Sequence, residues 1–178
     1  AMSVALCEGL DMDSIIAAMS KAPQVAGRFE LIDEGQDYTV VVDYAHTPDG
    51  LDNLLRAAID LKPRRLITVF GCGGNRDKGK RPIMGRLAGS LSDIAIVTSD
   101  NPRFEDPEQI IKEVEAGVKE VCDNYLCITD RAEAIKRAID MAQPGDMVVL
   151  AGKGHEDYQI VGDVKHHLDD REMARAFI

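Results

Sequence analysis

From residue 28 onward the chain alternates short apolar runs with longer segments of helical period, and few folds admit that order. Phe29 to Ile32 and Tyr38 to Val42 read as strands around a turn at Glu34-Gly35. Thr47 before Pro48 is an N-cap followed by proline at the first helical position, and Leu51, Leu54, Leu55, Ala58 and Ile59 give that helix one apolar face. Leu66 to Phe70 reads as a buried strand, Pro82 to Leu91 as a helix and Ile94 to Thr98 as the next strand. Asp106-Pro107-Glu108-Gln109 has the pattern of a capping box, opening a helix with Ile110, Val114 and Val118 inward. The alternation then repeats: a strand at Leu126 to Ile128, a helix capped by Asp130 and Glu133 that carries Ile135, Ala138 and Ile139, and a strand at Met147 to Ala151 reached through Pro144-Gly145. This order predicts an α/β fold, a Rossmann-like, mostly parallel sheet with helices on both faces. Tyr158 to Lys165, with Gly162-Asp163 at its centre, adds a C-terminal β-hairpin.

The first residues do not fit that pattern. Ala1 to Lys21 reads as helical, with a turn at Glu8-Gly9, a cap at Asp11 or Asp13, and Ile15, Ile16 and Met19 at helical spacing. Pro23 ends it, which places a domain boundary near residues 23 to 28.

Charge narrows the partners. The 178 residues carry a net charge of -10, so there is no basic face for nucleic acid or an anionic membrane surface. No run of 18 apolar residues and no basic stretch leading into an apolar one is present, so neither a membrane span nor a signal peptide is expected and the protein is placed in the cytoplasm. Cys7, Cys72, Cys122 and Cys127 form no CxxC pair and lack the histidine spacing of a zinc site. They read as buried small residues, with Cys72 the exposed candidate because it lies in a glycine turn, though without a partner base.

In a doubly wound sheet, ligands bind beyond the carboxyl ends of the strands, where helix N-termini and irregular loops converge. Four unusual segments fall there: Asp43-Tyr44-Ala45-His46, Gly71 to Asp77, Asp100-Asn101-Pro102-Arg103 and Gly152-Lys153-Gly154-His155-Glu156. Gly74 to Lys80 fits GxxxxGK, yet Arg81 stands where Ser or Thr must hold magnesium and Pro82 follows. Gly71-Cys72-Gly73 opens a dinucleotide fingerprint, but Arg76 occupies the third glycine position. Neither a working phosphate loop nor a nicotinamide site is expected. The loop does supply Arg76, Lys78, Lys80 and Arg81, which suit a carboxylate or phosphate.

Together with Gly27-Arg28-Phe29-Glu30 and the extension of the first segment to Pro48-Asp49, these segments resemble, in order and approximate spacing, the Mur ligases. Within that family the similarity is to the synthetases that add meso-diaminopimelate, and it runs from Gly27 to about Arg171. The resemblance implies residues 27–178 as the family's C-terminal domain and residues 1–26 as the terminal helical remnant of a central ATPase domain. It also implies an enzyme of peptidoglycan synthesis that uses ATP and Mg2+ to activate UDP-MurNAc-L-Ala-D-Glu, with the phosphate loop and metal ligands outside this chain. Arg28, Asp43 and His46 match residues near ATP; Arg76, Asp100, Asn101, Pro102, Arg103, Gly152 and Glu156 match the pocket for meso-diaminopimelate. That ligand carries two ammonium and two carboxylate groups, and this set offers both signs of charge.

Lysine, the alternative substrate in this family, lacks the distal carboxylate that Arg103 is placed to grip. Lys153 and His155 are left without a role, His155 being either an assistant to catalysis or a structural hydrogen bonder. Asp169-Asp170-Arg171-Glu172 reads as a cap for the last helix, and His166 and His167 as surface residues. A stand-alone binding or regulatory domain remains the alternative from another class. A folylpolyglutamate synthetase is the alternative within the superfamily, against which Asp-Asn-Pro-Arg argues.

Overall fold

A computed structural model describes residues 2–178. Two short helices, α1 (Met2–Cys7) and α2 (Met12–Met19), come first, with Asp11 capping α2 through the Ser14 amide. Strands β1 (Glu30–Ile32) and β2 (Thr39–Asp43) follow, and then α3 (Pro48–Asp60), β3 (Leu66–Phe70), α4 (Lys80–Leu91) and β4 (Ile94–Thr98). The chain continues with α5 (Pro107–Val118), β5 (Tyr125–Ile128), α6 (Arg131–Met141) and β6 (Met147–Ala151). It ends in the hairpin β7 (Tyr158–Val161) and β8 (Val164–His167) and the helix α7 (Asp170–Phe177).

The six-stranded sheet has the order β1-β2-β6-β3-β4-β5, with β1 antiparallel and all other pairs parallel. Strand β6 is inserted between β2 and β3, and all five of its residues are buried. A parallel strand covered on both sides reads as the unbroken apolar run Met-Val-Val-Leu-Ala, because no face is left for water. Residues of opposite parity feed two cores. Val41, Phe70, Val97 and Val149 meet α3, α4 and α5 on one face, whereas Val40, Val42, Val69, Ile96 and Leu150 meet α6 and α7 on the other.

Helix starts follow the capping residues read from the sequence: Thr47 accepts from Gly50, Asp106 from Glu108 and Asp130 from Glu133. The capping box at Asp106 is half formed, since Gln109 turns forward to Glu113 instead of back to the cap amide. Ile59, expected inward, is 41% exposed, and Ile16 and Met19 also face out.

Asp169 caps α7, but Asp170 does something else. It pairs with Arg131, both side chains fully buried, at 2.8 and 2.6 Å. The same guanidinium reaches the carbonyls of Ala151 and Ser99 at 3.1 and 3.5 Å, so the first turns of α6 and α7 are tied to the carboxyl ends of β6 and β4.

Candidate functional site

The four loops beyond the carboxyl ends of β2, β3, β4 and β6 enclose a cavity of about 850 Å³, within the range of ordinary ligand sites. Of the residues singled out in the sequence, His46, Arg76, Asp100, Asn101, Arg103, Gly152 and Glu156 line it. Tyr44, Lys80 and Tyr158 line it too, and of these Tyr158 carried no local signal because it belongs to the hairpin.

Asp43 and Arg28 stand beside the cavity and do not line it. Both Asp43 oxygens are engaged by the backbone, Oδ2 accepting from the Phe29 amide at 2.7 Å and Oδ1 from the Ala45 amide at 2.8 Å. This fastens the start of β1 to the loop after β2, with Phe29 held at φ 45°. Each oxygen keeps a further lone pair, so a ligand hydroxyl can still be accepted. Arg28 is exposed and lies over the Tyr44 ring, 4.9 Å from its centroid. His46 meets the same tyrosine edge-on and His155 lies tilted to it, with ring centroids 4.7 and 5.2 Å away. The His46 Nδ1 donates to the Tyr44 carbonyl at 2.8 Å, since a carbonyl can only accept. Burial, with Glu156 nearby, pushes the Tyr44 phenol above its usual value.

The loop after β3 is not the cluster of four available cations that the sequence suggests. Arg81 is fully buried, its guanidinium bonded to Glu105, Glu113 and the Gly73 carbonyl. Lys78 pairs with Glu105 at 3.1 Å. Lys80 donates to the His46 carbonyl at 2.7 Å, so the GxxxxGK pattern does not build a phosphate cradle. Arg76 remains, exposed and unpaired among the described residues.

Cys72 is buried, not exposed; its Sγ lies 3.6 Å from the Met84 sulfur, and burial pushes the thiol up to about 12. Conversely Cys7 and Cys127, expected inside, are exposed.

The loop after β4 packs directly on the glycines of the loop after β3. A Cβ on Gly74 would come within 1.9 Å of the Pro102 carbonyl, and one on Gly73 within 2.9 Å of Arg103 Nη1. Arg103, at φ 52°, sends that nitrogen to the Gly74 carbonyl at 2.9 Å. Pro102 is buried and does not line this cavity; its carbonyl accepts from the Glu105 amide at 3.0 Å, closing the turn. Asn101 lines the cavity, yet its amide is taken up internally, Oδ1 accepting from Ile160 and Nδ2 donating to Glu156 Oε2 at 3.1 Å.

Glu156 Oε2 also lies 3.3 Å from the fully buried Lys153 ammonium, itself 5.5 Å from the Tyr158 ring centroid. Among the described residues Oε1 has no partner, nor has Asp100 Oδ2, whose companion oxygen accepts from the Asn101 amide. Gly152, at φ 117°, keeps that Oδ2 accessible, because a Cβ there would lie 3.1 Å from it. The cavity thus offers two unpaired carboxylate oxygens beside the guanidinium groups of Arg76 and Arg103. Among the described residues no group of three or more His, Cys, Asp or Glu side chains is arranged to hold a metal, and no helix is long and apolar enough to cross a membrane.

Residues 27–154 match the family model described as "Mur ligase, glutamate ligase domain". A UDP-N-acetylmuramoyl-L-alanyl-D-glutamate--2,6-diaminopimelate ligase of Syntrophomonas wolfei is 54% identical over 175 residues, covering 98% of this chain and 36% of its own length. The protein of the same name in Trichormus variabilis is 57% identical over 170 residues, covering 94% of this chain and 34% of its own. A solved structure of a ligase of that name superposes with a TM-score of 0.81 at 42% identity, over 98% of this chain and 36% of that one. The chain therefore spans about a third of the length of the relatives it matches.

Proposed function

This chain belongs to the Mur ligase family, through its glutamate ligase domain, and from that premise we propose that it is the amino-acid-binding C-terminal domain of an ATP-dependent ligase that joins meso-2,6-diaminopimelate to UDP-MurNAc-L-Ala-D-Glu. The observation that carries the reading is the meeting of both signs of charge in one cavity: the Arg76 and Arg103 guanidinium groups beside two carboxylate oxygens without a partner among the described residues, Asp100 Oδ2 and Glu156 Oε1. One end of diaminopimelate is an ammonium and a carboxylate on the same carbon, and binding it requires both signs of charge within a small space. The names of the relatives support the same substrate.

ATP supplies the phosphoryl group that turns the dipeptide carboxylate into an acyl phosphate, and the family's Mg2+ is assigned to residues outside this chain. Arg28 and His46 contact the Tyr44 ring, and Asp43 precedes it at the end of β2 with its carboxylate on the Ala45 amide, which supports their assignment to the nucleotide side. Arg28 is free to meet phosphate when the domains close. Closure matters because an acyl phosphate is lost to water unless the amine reaches it first. The reaction is assigned to the cytoplasm, as the sequence led us to expect.

Residues 1–26 are read as the end of the preceding ATPase domain. The family match begins at residue 27, and α2 and the connection before it leave Leu10, Met12, Ile16 and Met19 exposed.

The test is reconstitution with the full-length protein, ATP, Mg2+ and the nucleotide dipeptide. Tripeptide formation and phosphate release should depend on diaminopimelate, and the 178-residue chain alone should do neither. Release independent of diaminopimelate, or ATP hydrolysis by the chain alone that Lys80→Ala abolishes, would contradict the reading.

A further inference from the structure

The segment Asp100 to Arg103 is held from outside the main sheet. Gln159 Nε2 donates to the Asp100 carbonyl at 2.7 Å, and the Ile160 amide donates to Asn101 Oδ1 at 2.8 Å. The Arg103 amide donates to the Ile160 carbonyl at 3.0 Å, and the Gly162 amide donates to the Arg103 carbonyl at 2.7 Å. Arg103 and Val161 form an isolated parallel bridge. Strand β7 therefore runs along the whole segment as a splint. Arg103 needs one: φ 52° is a left-handed backbone that a residue with a Cβ keeps only when its surroundings hold it. The hairpin is itself a separate two-stranded sheet with β8 exposed along its length, so it depends on this docking for its own order.

We infer that Gln159 is a positioning residue for Arg103. Its side chain does not line the cavity, and it acts by fixing the register of β7 along the loop. The hairpin then decides where the guanidinium stands over Gly73 and Gly74. The inference rests on the reading of Arg103 as the cation for the distal carboxylate, and it identifies part of the substrate specificity in an element outside the Rossmann-like core.

The experiment uses the full-length ligase in four forms: wild type, Gln159→Glu, Arg103→Ala and the double variant. Gln159→Glu keeps the shape, removes the donor and sets a carboxylate against the Asp100 carbonyl. The KM for diaminopimelate should rise roughly 5- to 30-fold, as for a lost hydrogen bond that leaves a polar group unsatisfied, while kcat and the KM for ATP change by less than about 2-fold. In the Arg103→Ala background the same substitution should have a much smaller effect, because the main group it positions is gone and only Asp100 of the segment is left to bind. Where the carboxylate disrupts the hairpin, Gln159→Ala removes the donor without adding charge, and about 2- to 10-fold is expected. An effect of equal factor in both backgrounds, or a rise in the KM for ATP to match, makes Gln159 merely structural and overturns the inference. So does an unchanged KM in Gln159→Glu when Arg103→Ala raises it. If Arg103→Ala itself leaves the KM unchanged, the reading of Arg103 fails first and the inference falls with it.

Discussion

The Glu105 carboxylate accepts from the Arg81 guanidinium and the Asn75 amide and pairs with Lys78, binding the two loops that carry Arg76 and Arg103. Nothing local in the sequence marks this. Arg76 and Arg81 look alike there, and what separates an available cation from a buried one is a partner 24 residues further along and another at 32. Such pairing is a property of the folded chain, which is why the loop's charges were legible and their availability was not. The Arg81 guanidinium, with the Asn75 amide, holds the Glu105 carboxyl at about 2, against an ordinary 4.5. A carboxyl lowered in the folded state stabilises fully above its unfolded value, and that contribution fades as pH falls through the window between the two. The melting temperature of Glu105→Gln should therefore lie below wild type near pH 7, and the gap should narrow as pH drops from about 4.5 toward 2. A gap that stays constant across that window would show that the charge on Glu105 is not what matters.

Among elements, α4 and α5 approach so closely that glycine is required. A Cβ on Gly117 would come within 1.9 Å of the Pro82 carbonyl, and one on Gly85 within 2.1 Å of the Val114 carbonyl. In an exposed helix, Gly→Ala gains about 1 kcal/mol. Here the neighbour is backbone, and overpacking costs roughly 1–3 kcal/mol or more, so the clash wins. Gly117→Ala should lower stability by about 1–3 kcal/mol in urea unfolding; a more stable variant would mean the helices can separate freely. Elements of this kind were readable one at a time, because caps at Thr47, Asp106 and Asp130 and the apolar periods are local. The insertion of β6 between β2 and β3, and the tie from Arg131 to Asp170, join residues far apart in sequence and left no local trace. The hairpin was legible as a hairpin, but its service to Arg103 was not.

At the scale of the whole molecule, an acidic chain of net charge -10 concentrates unpaired guanidinium groups where four loops meet. The sequence marked the loops because glycine, proline and charge recur at strand ends, and the sheet brought them together as that order requires. Its reading of individual side chains was less complete: Asp43 holds backbone, Asn101 holds Glu156 and the hairpin, and Pro102 shapes a turn. The proposed domain supplies a selective cavity and leaves ATP activation to the rest of the ligase, so the two activities should separate under mutation. The most direct measurement compares kcat/KM for diaminopimelate and for lysine in the full-length enzyme, wild type against Arg103→Ala, with ATP and nucleotide dipeptide saturating. Losing one partner of a desolvated, hydrogen-bonded charge pair should lower the value for diaminopimelate by about 30- to several-thousand-fold. Lysine, which has no distal carboxylate, should lose far less. If both amino acids fall by the same factor, Arg103 is scaffold and the cavity does not select its substrate by that carboxylate.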